Sequence, residues 1–294
     1  MPALLLKPLH ILLLVPPLLA SQFITSTFPT GSAAQVNSVT PPKTAADLSD
    51  HCPHTTLQTA KAISINEDAD IILDDGRRLK IANIFFPRTG ANSPLPEETI
   101  RFLRRNLAQK TIKYIAAAKT DRYQRTPAHI ITQSDNNPQT KWFQPKIIQA
   151  GLGLFMPEPF KEKHNPYCDN DDLKQILRHY DQENMRKQNH SPLIPVYKPD
   201  NDILWEMEGN FIFVEGALLK THSSDKKIFL NFGTQWKSDF TAVISSNAEG
   251  AIQKHFKSIS NLEGKQLRLR GFLDLYNGPS MRIDHPLQME LLSE

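Results

Sequence analysis

Short apolar runs separated by polar turns dominate the chain from Ala60 onward. Ala62-Ile63-Ser64-Ile65 and Ile71-Ile72-Leu73 have strand length, and the acidic turn Asn66-Glu67-Asp68-Ala69-Asp70 divides them. Asp74-Asp75-Gly76 is a hairpin turn, and Leu79–Phe85 is the next strand. Pro94–Pro96 opens a helix with Glu97 and Glu98 in its first turn, where acids complement the helix dipole. Ile100, Leu103 and Leu107, at spacings of three and four, form its apolar stripe. Thr111–Ala118 and Pro127–Thr132 read as strands joined by a turn at Asp121–Arg125. Trp142–Gly151 reads as a helix ended by its glycine. Asp171–Gln188 reads as a longer one with Leu173, Ile176, Leu177 and Tyr180 on its core side.

Pro192, Pro195 and Pro199 then punctuate a linker, placed at 191–208, and a fresh strand series follows. Phe211–Leu219, Lys227–Phe232 and Phe240–Ile244 are strand-like, Ala248–Lys257 is helical, and Gln266–Leu273, Met281–Ile283 and Leu287–Leu292 return to strands. The pattern predicts a mainly β fold with packed helices (α+β). A small closed barrel covers 51–190, and a second small barrel with the strand order of an OB-fold covers 209–294.

The N-terminus changes the picture. Lys7 and His10 precede an apolar run, Ile11–Ala20, of about 10 residues where a membrane-spanning helix needs roughly 20. Residues 1–20 read as a secretory signal, cleaved after Ala20 or Ala34, or as an uncleaved anchor. That placement implies a periplasmic or secreted protein. Residues 21–50 are rich in Ser, Thr, Ala and Pro and read as a disordered linker. In an exported chain, Cys52 and Cys168 are compatible with one disulfide, which would contribute about 4 kcal/mol in the chain-entropy model; two free buried thiols are the other reading. The net charge of +3 is mild. Locally, Arg101, Arg104, Arg105, Lys110, Lys113, Lys119, Arg122 and Arg125 face the single acid Asp121, giving either a solvated basic face or a phosphate-attracting surface.

Two motifs carry the candidate chemistry. Asp75-Gly76-Arg77-Arg78-Leu79-Lys80-Ile81-Ala82-Asn83-Ile84-Phe85-Phe86-Pro87-Arg88 is followed, after one helix, by Asp121-Arg122-Tyr123-Gln124-Arg125. The pair resembles the frame of the staphylococcal nuclease-like (thermonuclease) family, "xDGxxxRLxGIDxPE" and then "DxYGR", over roughly residues 60–188. The resemblance implies a nuclease-like OB barrel, a DNA or RNA phosphodiester as substrate, Ca²⁺ as cofactor and a monomer. It places Lys80 and Arg125 at the positions of the two phosphate-holding arginines. Lysine offers a point charge there rather than a planar fork. The family's first metal aspartate falls near Ala69, flanked by Asp68 and Asp70. Its second metal aspartate is replaced by Phe85 and its general-base glutamate by Arg88. A hard divalent cation needs oxygen ligands, which Phe85 lacks, and Arg88 repels it. The implied outcome is a nuclease-family enzyme or a descendant that keeps phosphate binding through Lys80, Arg88, Arg122 and Arg125. A non-catalytic envelope module for a polyanion or a protein is the alternative.

In the second half, Phe232, Trp236 and Phe240 with Lys237 and Arg282 form either a base-stacking surface or the filling of a small barrel. His285 before Pro286 reads as a turn residue. The chain holds no Gly-rich phosphate loop, H-E-x-x-H or G-x-S-x-G motif, and His51, Cys52 and His54 lack a third orienting group for a Cys-His nucleophile.

Overall fold

Alternation along the strands closes a small barrel in the first half. In the computed structural model, residues 57–88, 93–117, 119–134, 137–158, 171–187, 194–224, 227–235 and 237–293 are described. All of them fall in one compact unit spanning residues 39–294. The N-terminal segment, the 21–50 linker, the Cys52–Cys168 pair and Trp236 lie outside the described residues.

Strands β1 (Gln58–Ile65), β2 (Ile71–Leu73) and β3 (Arg78–Ile81) form an antiparallel meander. Helix α1 (Glu97–Leu107) follows and buries Ile100, Leu103 and Leu107, the stripe expected from their spacing. β5 (Lys110–Ala116) pairs antiparallel with β1, and β6 (Arg125–Ser134) pairs antiparallel with β5 and parallel with β3. The order β1-β2-β3-β6-β5 therefore returns to β1, and the result is a closed five-stranded barrel. Ile71, Leu73, Leu79, Ile81, Tyr114 and Ile130 fill it from the inward-facing positions.

Three local expectations need correction. The run Leu79–Phe85 is not one strand. Asn83 adopts the left-handed region at φ 60°, which ends β3 and sends a two-residue strand β4 (Ile84–Phe85) out to pair with β8 (Leu154–Phe155). Trp142 ends a strand, β7 (Asn137–Trp142), that extends β6, so the helix α2 is shortened to Gln144–Gln149. Arg125 is the first residue of β6 rather than a turn residue.

The second half builds a mainly antiparallel sheet. Its strands are β9 (Val196–Tyr197), β10 (Phe211–Ala217), β11 (Lys220–Ser224), β12 (Lys227–Asn231), β13 (Thr241–Ser245), β14 (Gln266–Leu275), β15 (Pro279–Ile283) and β16 (Met289–Ser293). They run in the order β11-β12-β13-β15-β14-β10-β9, with β16 on β14. β10 and β11 are consecutive in the chain, and β13 pairs parallel with β15. Strand for strand this repeats the barrel's order, including the parallel pair and a helix, α4 (Ser246–Phe256), before the fourth strand. Ala248 and Ile252 of α4 close the apolar interior.

The stretch expected as a linker is built into this sheet. β9 pairs parallel with β10, and Leu204 in a 3₁₀ turn at 202–206 is fully buried in the second core. Pro199 lies so close that a Cβ on Gly216 of β10 would meet its Cγ at 2.4 Å.

Helix α3 (Asp171–Lys187) joins the halves. Leu173 and Leu177 enter the barrel core with Tyr180 beside them. A second stripe faces the other way. Lys174 meets His285 (3.2 Å), Arg178 Nη2 donates to the Met289 carbonyl (3.3 Å), Asp181 pairs with Arg270, and Gln182 Nε2 donates to Glu290 (2.6 Å).

Candidate functional site

The acidic turn is organised by its first residue. Asn66 Oδ1 accepts from the backbone N–H of Asp68 (3.0 Å) and of Asp70 (2.8 Å). Ala69 takes φ 64° to complete the turn, and Asp70 is carried inward to 1% exposure. A carboxylate that deep must be paired. Arg78 holds Oδ2, Arg125 Nη1 lies 3.4 Å from Oδ1, and Asn66 Nδ2 donates to Oδ2 at 3.1 Å. Arg78 and Arg125 face each other in register across the parallel β3–β6 pair, which is why both reach one carboxylate.

Arg125 is held from the other side by Asp121. Its Nε and Nη2 donate to Asp121 Oδ2 at 2.9 and 2.8 Å, and Asp121 Oδ1 accepts from the backbone N–H of Tyr123 and Arg125. Partial burial pushes the Asp121 carboxyl up, but the bonds from Arg125 and the backbone outweigh it and hold it below the usual range. Burial disfavours the charged Arg125, and Asp121 and Asp70 more than offset that, so its pKa is raised.

The remaining cations are also engaged. Lys80 Nζ stands 3.4 Å from Glu158, whose backbone N–H donates to Asn83 Oδ1. Arg88 donates to Asp68 (2.9 Å) and to the Ser93 carbonyl (2.7 Å). The guanidinium of Arg122 stacks on the exposed ring of Tyr123 at 4.8 Å, and Arg125 lies 5.0 Å from the same ring. The 66–70 turn thus gathers Arg78, Arg88 and Arg125, while Lys80 is tied elsewhere. Arg78 escaped the sequence reading. Its signal was parity, since residues 78 and 80 share the outer face of β3.

The donors present do not fit Ca²⁺. Both Asp70 oxygens are taken by arginines or Asn66, Asp68 is paired with Arg88, and among the described residues no three His, Cys, Asp or Glu side chains could together hold a metal. Phe85 is committed elsewhere too. Its ring stacks on Phe211 (4.4 Å between centroids, 25° between planes) and meets Phe272 edge-on at 5.7 Å. The position where the nuclease frame carries a metal ligand here joins the barrel to the second sheet. Glu97 pairs with Arg101 on the exposed face of α1.

In the second half the described members of the aromatic set, Phe232 and Phe240, follow the barrel-filling alternative. Phe240 is fully buried and the half-buried Phe232 packs beside it at 5.5 Å. Arg282 is exposed and bonded to Asp284 (2.8 Å). His285 is not a plain turn residue. It is buried, accepts at Nδ1 from the Leu287 N–H and caps the 3₁₀ turn at 286–288, while Nε2 faces Lys174.

No family model and no curated protein matches the chain. Among solved structures, one match is "OBody AM1L10 bound to hen egg-white lysozyme". It is 11% identical, covers 30% of this chain and 85% of that chain, and has a TM-score of 0.24, a likeness that bears on neither fold nor function.

Proposed function

We propose that this chain is a non-hydrolytic descendant of the staphylococcal nuclease-like family that binds nucleic acid outside the cytoplasm. In this reading the closed barrel is the nuclease-like OB barrel and the second sheet is a smaller OB-like barrel behind it. Export rests on Lys7, His10 and the 11–20 apolar run, and no helix of the described residues is long and apolar enough to cross a membrane.

One observation carries the loss of hydrolysis. The family's chemistry needs carboxylate oxygens free for a cation and a carboxylate to activate water. Here the two oxygens of Asp70 are clamped by Arg78 and Arg125, and Phe85 is stacked on Phe211. What remains beside the turn at 121–125 is cationic and aromatic. Arg122 and Arg125 flank the exposed Tyr123 ring, and Arg78 reaches the Asp70 carboxylate that Arg125 shares, an arrangement that suits phosphates and a stacked base.

The test pairs two assays on the full chain. Incubation of DNA and RNA with Ca²⁺ should leave both intact, and Ca²⁺ should not raise the melting temperature, because a bound ion would stabilise the folded state by mass action. Fluorescence anisotropy with a single-stranded oligonucleotide should show binding that weakens in Arg122→Ala. Calcium-dependent cleavage abolished by Arg125→Ala would overturn the non-hydrolytic reading. Absence of binding at low salt would transfer the function to a protein partner.

A further inference from the structure

Three carboxylates within residues 67–70 hold four arginines, and the arginines come from four different parts of the chain. Arg78 of β3 and Arg125 of β6 hold Asp70. Arg88, beyond β4, donates to Asp68 at 2.9 Å. Arg104 of α1 donates from Nη2 to Glu67 at 2.6 Å and from Nε to the Ile65 carbonyl at 3.2 Å. Arg125 continues the row to the Tyr123 ring, and Arg122 stacks on the same ring. The acidic turn therefore occupies cations that stand beside the surface read above as phosphate-binding.

The three acids are not equivalent. Asp70 is buried and shared by two arginines and Asn66, so it belongs to the fold. The Glu67 and Asp68 side chains are 73% and 57% exposed. An ion pair open to water in this way shifts an equilibrium by only about two- to fivefold. A phosphate oxygen accepts from a guanidinium as a carboxylate oxygen does, so it can take the carboxylate's place. Among the described residues Arg88 and Arg104 have no other carboxylate partner. The backbone of the turn is held by Asn66 Oδ1, so neither exposed carboxylate is needed to form it.

We propose that Glu67 and Asp68 are a built-in competitor of the ligand. In the free protein they occupy Arg104 and Arg88, and a nucleic-acid strand engages these arginines only by displacing them. The contact is autoinhibitory: it lowers affinity without blocking the surface around Tyr123. It also changes the salt dependence. A phosphate that replaces Asp68 on Arg88 sheds its counterion, but the freed carboxylate takes one up again. Each displaced pair therefore adds nothing to the salt slope, whereas an unpaired arginine adds about 0.7 on a single strand.

The inference rests on the nucleic-acid reading above and is tested so that the two fail separately. Oligothymidine binding to the full chain is followed by anisotropy over a salt series. Variants are Asp68→Asn, Glu67→Gln, Arg88→Gln and the double variant Asp68→Asn with Arg88→Gln. Glu98→Gln, an exposed position on α1, removes the same charge away from the turn. Asp68→Asn and Glu67→Gln should each bind about two- to fivefold more tightly, with a log–log salt slope steeper by about 0.7. Glu98→Gln should gain less and keep the slope of the natural chain. In the Arg88→Gln background the gain from Asp68→Asn should shrink to that of Glu98→Gln, because the competitor then has nothing to compete for. Melting temperatures of the Asp68 and Glu67 variants should match that of the natural chain, since both side chains are exposed. A gain no larger than that of Glu98→Gln, or one that survives in Arg88→Gln, would overturn the competition and leave the nucleic-acid reading standing. Binding seen only in Asp68→Asn or Glu67→Gln would support both. Absence of binding in every variant at low salt would overturn both.

Discussion

Burial decides the ionisation of two histidines. His129 on β6 is 2% exposed and accepts at Nδ1 from Gln144 Nε2 at 3.3 Å. Burial first, and the charge of Lys174 second, pushes its pKa down to about 4. His285 is pushed down to about 3 by burial, then by Lys174, His255 and Arg178. Burial also lowers Lys174 itself to about 8, opposed by Glu158. Both histidines are thus neutral when folded, while the unfolded chain takes up protons near pH 6.5. Where the unfolded state binds more protons, stability falls with falling pH. Stability should therefore hold above about pH 6.5 and decline through pH 5 toward 4, by on the order of 1 to 3 kcal/mol per histidine. The depressed carboxylates of Asp75 and Asp121 add their losses only below the ordinary carboxylate range, a separate window. Urea unfolding at pH 7.5, 6 and 4.5 reads this, and His129→Gln should flatten the decline above pH 4.5. An unchanged decline would assign acid sensitivity to other groups. None of this was legible in the chain, because a histidine between apolar residues does not announce its depth. The clamp on Asp70 was half legible. The sequence offered Asp70 and Arg125, but the in-register pairing that brings Arg78 to the same carboxylate exists only once β3 and β6 lie side by side.

At the level of elements, periodicity succeeded where one face of an element is apolar. The α1 stripe and the apolar strand runs that line the two cores were read from spacing alone, whereas β7, β9 and β11 were not. It failed where an element has two partners. Helix α3 was read for its Leu173–Tyr180 side, yet its other stripe is polar and equally committed. There Asp181, fully buried, pairs with Arg270 at 2% exposure, and Phe155 contributes its N–H to Asp181 and its carbonyl to Arg270. Arg270 Nη2 has no acceptor, so the pair is incompletely satisfied. Desolvation of such a pair offsets most of its attraction, whereas removing one partner strands a buried charge. Arg270→Met should cost about 3–5 kcal/mol, and Arg270→Met with Asp181→Leu should recover most of it. Thermal melts of the two single variants and the double variant close the cycle. Additive losses in the double variant would mean that the two side chains act independently. The same two-partner logic explains Phe85. A residue that reads as a lost metal ligand in one frame is, in the folded chain, an aromatic contact of β4 with β10 and β14.

For the whole molecule, the proline-rich stretch at 191–208 was the most misleading signal. Prolines at 192, 195 and 199 suggested a joint that could be cut, and the repeated strand order of the two halves strengthens that impression. The packing says otherwise. Leu287, from the far end of the chain, sits in the first core cluster beside the barrel residues. Phe85 of the first half stacks on Phe211 of the second, and Lys174, Arg178, Asp181 and Gln182 are all satisfied by residues beyond 269. A chain ending at residue 190 would expose those aromatics and leave Asp181 without Arg270. Such a fragment should be several kcal/mol less stable than the barrel within the intact protein, since a stranded buried charge alone costs about 3–5 kcal/mol. The intact protein should unfold in one transition. With Trp205 and Trp236 changed to Phe, Trp142 reports the barrel alone; with Trp142 and Trp236 changed to Phe, Trp205 reports the second half. The two urea curves should coincide, as a cooperative unit requires. Separated midpoints, or a fragment as stable as the barrel in the whole, would mean that the halves are independent domains and that the contacts along α3 contribute nothing to holding either one folded.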